Sequence, residues 1–456
     1  MTAIDPRIKE LTDYASAFCY GDLPEEAVHE CKRKLIDSIG CAFGAYDDKA
    51  SQIVRAIARR YCGKPPARIF GTLEETSVEH AAFANGSMIR YQDYNDAYFA
   101  RSSGHPSDLL GGVLAVAEMQ AASGRDVIAA TALAYEAYCN FSDVLEREQG
   151  WDYPMHTVVA AAVASAKLLK LGAAQSAEAV ALAITPNMPL EQTRFGEISM
   201  WKGCAGANAA RNGVFAAVAA SEGLTGPDQA IVGPSAMFPK VGAFEWAPFG
   251  GRGAPFRVMQ THIKYFPSVI HSQSPVTAAL QVRQGVAPSD IRAVTLDTYW
   301  VAQRYVNRAS PLWKPATRET ADHSIAYIVA VALLDGEITA ESFSDDKLRN
   351  PAVHRILECM TIRENPDFTR VFPGKWPCTL EIETSGGERR RASVEYFKGH
   401  VNNPLTDAEV EDKFRRQVAG RMADHVVDPL LKQLWKLERV ADIRKVIDLL
   451  VAQHRD

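Results

Sequence analysis

The sequence predicts a mainly α fold, a large all-helical domain into which a smaller α+β domain is inserted. From Pro6 to about Leu224, apolar residues recur three and four apart among many alanines. After Gly250-Gly251-Arg252-Gly253 the chain turns to short alternating runs, and from Thr406 the helical spacing returns. These changes place a helical domain at 1–267, an α+β domain at 268–400, and C-terminal helices at 401–456 that rejoin the first domain. At 456 residues and 47 % hydrophobic, the chain is long for one ordinary domain and apolar enough for a large core.

Taken in order, LPEEAVHECKRKLIDSIGCAFGAY opens with Pro24 at a helix start and Glu25 and Glu26 in the first turn, where acids suit the helix dipole. DVIAATALAYEAYCNFSDVLE and TVVAAAVASAKLLKLGA carry small residues on several faces, so the helices pack as a bundle. Between them, IRYQDYNDAYFARSSGHPSDLLGGVL (Ile89 to Leu114) interrupts the pattern with acids, aromatics and an imidazole. If helical, it places Asp93 and Asp96 on one face. Gly104-His105-Pro106 then breaks the helix and presents His105 from a turn, while Ser107 and Asp108 cap the next helix. Read alone, the same segment also fits a solvated acidic loop with a capping histidine.

In the second region, HIKYFPSVIHSQSPVTAALQVRQ holds Pro267 and Pro275 around a short segment that leads into a helix. DIRAVTLDTYWV alternates as a strand, and TLEIETSGGERRRASVEYF reads as a hairpin turning at Ser385-Gly386-Gly387. SIAYIVAVALLDG and AVHRILECM are helical. In the tail, Thr406 with Glu409 forms a capping box, and LLKQLWKLERV and DIRKVIDLLVAQ follow as helices.

Composition excludes several functions. The balance of 50 basic against 55 acidic residues gives a net charge of −5, so no global basic field draws the chain to nucleic acid or anionic membrane. No apolar run approaches the roughly 20 residues needed to span a bilayer. The start, MTAIDPRIKELTDYA, has acids where a signal peptide needs a basic and then an apolar run, so a cytoplasmic location is expected. The eight cysteines are dispersed without a C-x-x-C pair or a neighbouring Cys/His cluster, so no metal site is expected from them. The glycine pairs make no nucleotide-binding fingerprint.

The motif of Asp93, Asn95 and Asp96 followed by His105-Pro106 resembles the D-x-D/N-D and H-P signatures of the MmgE/PrpD family, with the middle Asn closer to its dehydratase branch. Three further segments extend the resemblance over nearly the whole chain. EISMWKGCAGANAARNGVFAA is similar to the family's lysine region, which implies Lys202 as an active-site lysine able to clamp a carboxylate, with Arg211 further along the same helix. A snorkelling surface lysine is the alternative.

HIKYFPSVIHSQSPVTAAL implies His271 as an active-site histidine with Lys264 close by. ETADHSIAYIVAVALLDG resembles the family's H-S-x-x-Y helix and implies Tyr327, four residues after His323, although a core tyrosine is equally compatible with this segment alone. YFKGHVNNP resembles a family turn in which His400 is structural. One segment departs from the family: QGWDYPMHTVV has Trp151, Asp152 and Tyr153 where members commonly have a histidine, and either His156, three residues after Tyr153, replaces it in binding substrate or the site lacks that group.

The resemblance implies a cofactor-independent, metal-free hydro-lyase that dehydrates 2-methylcitrate or a similar tricarboxylic acid. It also implies a homodimer whose smaller domain acts as a lid over a cleft. Asp93, His105, Lys202, His271 and Tyr327 would carry catalysis, with His156, Lys264 and Arg211 binding substrate. The same groups would serve decarboxylation or epimerisation of a related acid, and a non-catalytic carboxylate-binding protein is the reading from a different class.

Overall fold

The structure, a computed structural model, describes residues 4–146 and 150–453. It is mainly α-helical. The N-terminal half is built from α1 (Pro6–Ala17), α2 (Glu25–Gly44), α3 (Lys49–Ala58), α4 (Val78–Arg90), α5 (Leu110–Met119), α6 (Gly124–Val144), α7 (Pro154–Leu168), α8 (Ala173–Ile184) and α9 (Trp201–Ser221). α9 packs against both α4 and α7, and α5 packs against α4. Close approach rests on small residues: a Cβ on Gly111 of α5 would stand 2.3 Å from the Gly86 backbone nitrogen of α4, and one on Gly213 of α9 would stand 2.4 Å from the Val158 carbonyl of α7.

Two large hydrophobic clusters form. One runs from Ile8 to Ile263 and resumes at Leu405, taking in Val410, Phe414 and Leu430. Helix Asp407–Val418 opens with the Thr406–Glu409 capping box and, with helix Asp424–Trp435, packs on α2. The second gathers Ala97 with residues from Phe266 to Phe397 around the apolar helix Ile325–Asp335.

That second cluster is backed by a four-stranded sheet in the order Met360–Glu364, Ile291–Thr298, Cys378–Thr384, Arg389–Val394. The hairpin pairs Cys378 with Val394 and Glu383 with Arg389. The strand Met360–Glu364 is absent from the sequence reading. It lies parallel to Ile291–Thr298 at the sheet edge, and its alternation spans only five residues, too few to stand out beside the helix that precedes it. Among the described residues no helix is long and apolar enough to cross a membrane.

The Ile89–Leu114 segment differs from its sequence reading. α4 ends at Arg90, and Asp93 takes a positive φ of 52°, so Asp93 and Asp96 share no helical face. Asp96 turns inward, accepting from the Ser107 backbone nitrogen at 3.0 Å and the Tyr135 hydroxyl at 2.7 Å. Ser107 and Asp108 do not cap α5: Asn95 Nδ2 donates to Ser107 Oγ at 2.8 Å and to Asp108 Oδ1 at 2.9 Å, which fixes the loop instead. A short hairpin of Tyr98–Phe99 with Ser103–Gly104 then delivers His105.

Because α4 and α5 meet backbone to backbone, Gly111→Ala must push them apart. It is expected to cost about 1–3 kcal/mol, as overpacking does. Urea unfolding measures it, and an unchanged midpoint would show that the helices yield without cost.

Candidate active site

The loop that ends α4 brings charge into the interior. Asp93, 1 % exposed, bonds Arg90, and Lys264 Nζ donates to its Oδ1 at 2.9 Å and its carbonyl at 2.7 Å. Burial would raise the Asp93 carboxyl, but Arg90, Lys264, Lys202 and His323 outweigh it and hold the group well below the usual carboxylate range. Burial, only partly offset by Asp93, draws Lys264 down to about 8. From the C-terminal helix, Lys413 Nζ donates to the carbonyls of Tyr94 and Lys264, each at 2.8 Å, and pairs with Asp37 at 2.6 Å. That cation pins the loop and the Lys264 segment together.

Beside this group lies a cleft of about 390 Å³, with Asp93, His105, Tyr153 and Arg194 on one side and His271, Arg304, Tyr305 and His323 on the other. The hydrogen bonds fix its protons. His105 Nδ1 stands 2.6 Å from the Asp96 carbonyl, which can only accept, so Nδ1 carries the proton and Nε2, 3.9 Å from Asp93 Oδ1, presents a lone pair. His323 Nδ1 lies closer to the Asp322 carboxylate, at 2.5 Å, than to the Lys202 ammonium, at 3.3 Å, and donating to that carboxylate leaves Nε2 bare 3.7 Å from Asp93 Oδ2. Asp93 Oδ2 itself accepts no hydrogen bond among the described residues.

Burial, then the Arg90 and Lys264 charges, holds His105 well below the usual imidazole range. Burial with the Lys202 charge lowers His323 to about 4. Both rings are therefore neutral bases near pH 7.

Across the cleft, His271 Nδ1 lies 2.6 Å from the Tyr299 hydroxyl. Burial keeps that phenol well above its ordinary range, so it retains its proton and can donate it to Nδ1, the tautomer in which His271 carries its proton on Nε2. Arg194 donates from Nε to Asp152 at 3.0 Å. Arg304 lies over Trp300 and makes no ion pair among the described residues. Beneath the cleft, fully buried Lys202 donates to both oxygens of Asp322 at 2.9 and 3.0 Å.

A larger groove of about 970 Å³ runs along α2, but its buried cations are already engaged: Lys34 bonds the Thr261 carbonyl and Arg33 the Leu405 carbonyl. Neutral imidazoles and cations converge on the smaller cleft instead.

Residues 9–243 match the MmgE/PrpD N-terminal domain and residues 266–437 the MmgE/PrpD C-terminal domain. The chain belongs to the MmgE/PrpD family. It is 28% identical to the 2-methylcitrate dehydratase of Salmonella typhimurium over 98% of this chain and 97% of that protein. It is 28% identical to the 2-methylcitrate dehydratase of Cupriavidus necator, covering 91% of this chain and 90% of that one. It is also 24% identical to the cis-aconitate decarboxylase of Homo sapiens, over 94% and 91%.

Of the residues singled out from this MmgE/PrpD sequence, Asp93, His105 and His271 line the cleft. Lys264 and Lys202 lie directly beneath it, bonded to Asp93 and Asp322, so Lys202 holds a protein carboxylate where a substrate clamp was expected. Three residues are elsewhere. Tyr327 points into the second core and donates to the Ser342 carbonyl at 2.7 Å. Ser324 caps the helix, so His323 stands outside it and shares no helical face with Tyr327, four residues on.

Arg211 lies over Phe83 and bonds Asn212, more than two turns along α9 from Lys202. His156 is enclosed by the rings of Phe141, Tyr138 and Trp151, with Ser142 Oγ at 3.3 Å from Nδ1, and does not replace a cleft histidine.

Sequence reasoning gives no site role to His323, Arg194, Arg304 or Tyr153, although Tyr153 falls where members commonly have a histidine. The adjacent Asp322-His323 just before a helix-capping serine was the available signal for the first. The two arginines sit in 3-10 helices, Glu191–Arg194 and Trp300–Tyr305, too short for any spacing to mark them.

Among the described residues, Asp93, Asp322 and His323 are the group whose ligand atoms lie close enough to share a metal ion. Lys202 already bonds both oxygens of Asp322, so a metal would have to displace that ammonium.

Lys202→Ala leaves the Asp322 carboxylate buried without its principal cation. A loss of about 3–5 kcal/mol is expected from breaking a buried pair, with part recovered in Lys202→Ala/Asp322→Asn, both read from denaturant midpoints. An unchanged midpoint in the single variant would show the pair to be dispensable.

Proposed function

We propose that this MmgE/PrpD protein is a cofactor-independent hydro-lyase that removes water from 2-methylcitrate or a similar tricarboxylic acid. The observation that carries the reading is the opposition, across one cleft, of an unprotonated His105 Nε2 and a proton-bearing His271 ring among cations. The names of the relatives support the same substrate class.

Dehydration needs a base for a C–H next to a carboxylate, and help for the hydroxyl that leaves from the neighbouring carbon. His105 takes the proton at Nε2. Arg90, Lys264 and Arg194 offset the negative charge that builds on the activated carboxylate. Asp93 Oδ2, which lacks a donor, accepts a hydrogen bond from the substrate hydroxyl and orients it. His271 holds the departing oxygen through a hydrogen bond donated from Nε2 and keeps its own proton. The imidazolium formed on His105 passes its proton to the departing hydroxide, so water and a C=C bond are the products and the protein returns to its starting state.

Asp93 acts on the histidines through charge. Its distances of 3.7 and 3.9 Å are too long for hydrogen bonds, and the rings are oriented by the Asp96 carbonyl and Asp322.

Purified protein offered 2-methylcitrate, citrate, cis-aconitate and iminodisuccinate is expected to form a double bond from 2-methylcitrate, seen in ultraviolet absorbance, without releasing carbon dioxide. Carbon dioxide from cis-aconitate would replace the hydro-lyase reading with a decarboxylase. Exhaustive chelation is expected to leave turnover unchanged. His105→Gln should lower kcat by about 10²–10⁴-fold, the usual contribution of a positioned base.

The pH profile follows from the two shifted groups. His105, lowered by burial, is protonated and lost as a base only as pH falls below the ordinary histidine range. Lys264 loses its charge as pH rises through about 8, and Asp93 then loses a counter-ion. Activity should hold between these limits, and Lys264→Arg should move the alkaline limb upward. An alkaline limb unmoved by Lys264→Arg would assign it to another group.

A further inference from the structure

Protons are unevenly distributed around the cleft. His105 Nε2, His323 Nε2 and Asp93 Oδ2 are all acceptors. Tyr153 is different. It is 4 % exposed, lines the cleft, and stands edge-on to the His105 ring at 5.5 Å between centroids. Its hydroxyl accepts from Arg90 Nε at 3.3 Å, and among the described residues it donates its own proton to nothing. Tyr135 gives its proton to Asp96 and Tyr305 to the His323 carbonyl, and Tyr138, whose hydroxyl accepts from the His105 backbone nitrogen, does not line the cleft. A buried donor without an acceptor is costly, and a ligand oxygen in the cleft would satisfy it.

We propose that Tyr153 is a substrate-binding residue whose hydroxyl donates a hydrogen bond to a carboxylate oxygen of the bound acid. This deepens the polycarboxylate reading above and rests on it.

The ring is held for the purpose. Tyr153 precedes α7 at Pro154, and its backbone nitrogen donates to Asp152 Oδ1 at 2.9 Å. The Arg194 guanidinium covers one face at 4.7 Å from the centroid and is itself fixed by Asp152. Room for the ring comes from Gly104, where a Cβ would stand 2.7 Å from Tyr153 Cγ.

The charged groups around the phenol are Arg90 and Arg194, which favour its ionisation, and Asp108 and Asp152, which oppose it. Burial dominates and pushes it up to about 12, so the donor stays protonated through the working pH range. Arg90 donating to the same oxygen polarises the hydroxyl and strengthens its own donation.

Tyr153→Phe removes the hydroxyl and keeps the ring between His105 and Arg194. Calorimetry with tricarballylate, which carries three carboxylates and no hydroxyl to lose, compares wild type with the variant, alongside KM for whichever acid is turned over. Affinity is expected to fall by about tenfold to a hundredfold, the range for a hydrogen bond to a charged group, with KM rising in step. Equal tricarballylate affinity and equal KM in the two proteins would overturn the assignment of Tyr153 and leave the hydro-lyase reading standing. A wild-type protein that neither binds tricarballylate nor turns over any acid of the panel would overturn that reading, and the assignment with it.

Discussion

The structure is organised by the need to pair charges that have been taken out of water. Arg90, Lys264, Lys202 and Lys413 are each at most 1 % exposed, and so are Asp93 and Asp322. Each carries a desolvation penalty of several kcal/mol that only a well-placed partner offsets. Lys202 belongs to a helix of the first hydrophobic cluster, whereas Asp322 leads into the central helix of the second. The clusters can therefore meet in few ways, because a shifted arrangement would strand a charge. Apolar packing stabilises each cluster and the ion pairs select how the two are joined.

The same cations shape the chemistry. Imidazoles buried beside positive charge remain neutral, and hydrogen bonds to an acceptor-only carbonyl and carboxylate decide which ring nitrogen is bare. Basicity and tautomer are thus set by groups that never touch a substrate. Asp93 is the hinge of the arrangement, compensating the cations below while its second oxygen and the two Nε2 atoms face the cleft.

Much of this was legible in the sequence. Helical periodicity, the Thr406–Glu409 box and the hairpin at Gly386-Gly387 have local physical causes and appear as expected. Asp93, His105 and His271 stand out because each lies in a segment broken by glycine or proline. What stayed hidden depends on tertiary direction. Tyr327 and Arg211 sit on regular helices, where spacing names a face but not what that face meets. His323 was overlooked because a single capping serine decides that the helix begins after it. The edge strand Met360–Glu364 draws its order from a partner more than sixty residues away in sequence, which no local pattern announces.

Lys413 reaches back 319 residues to the Tyr94 carbonyl. Contacts of such sequence separation form late, after the entropy of closing a long loop has been met. During synthesis the helical bundle and the sheet can consolidate while the loop carrying Asp93 still lacks the ammonium that ties it to the Lys264 segment. The segment from Asp407 onward therefore completes the cleft, supplying from a distant part of the chain the ammonium that orders the place for the chemistry.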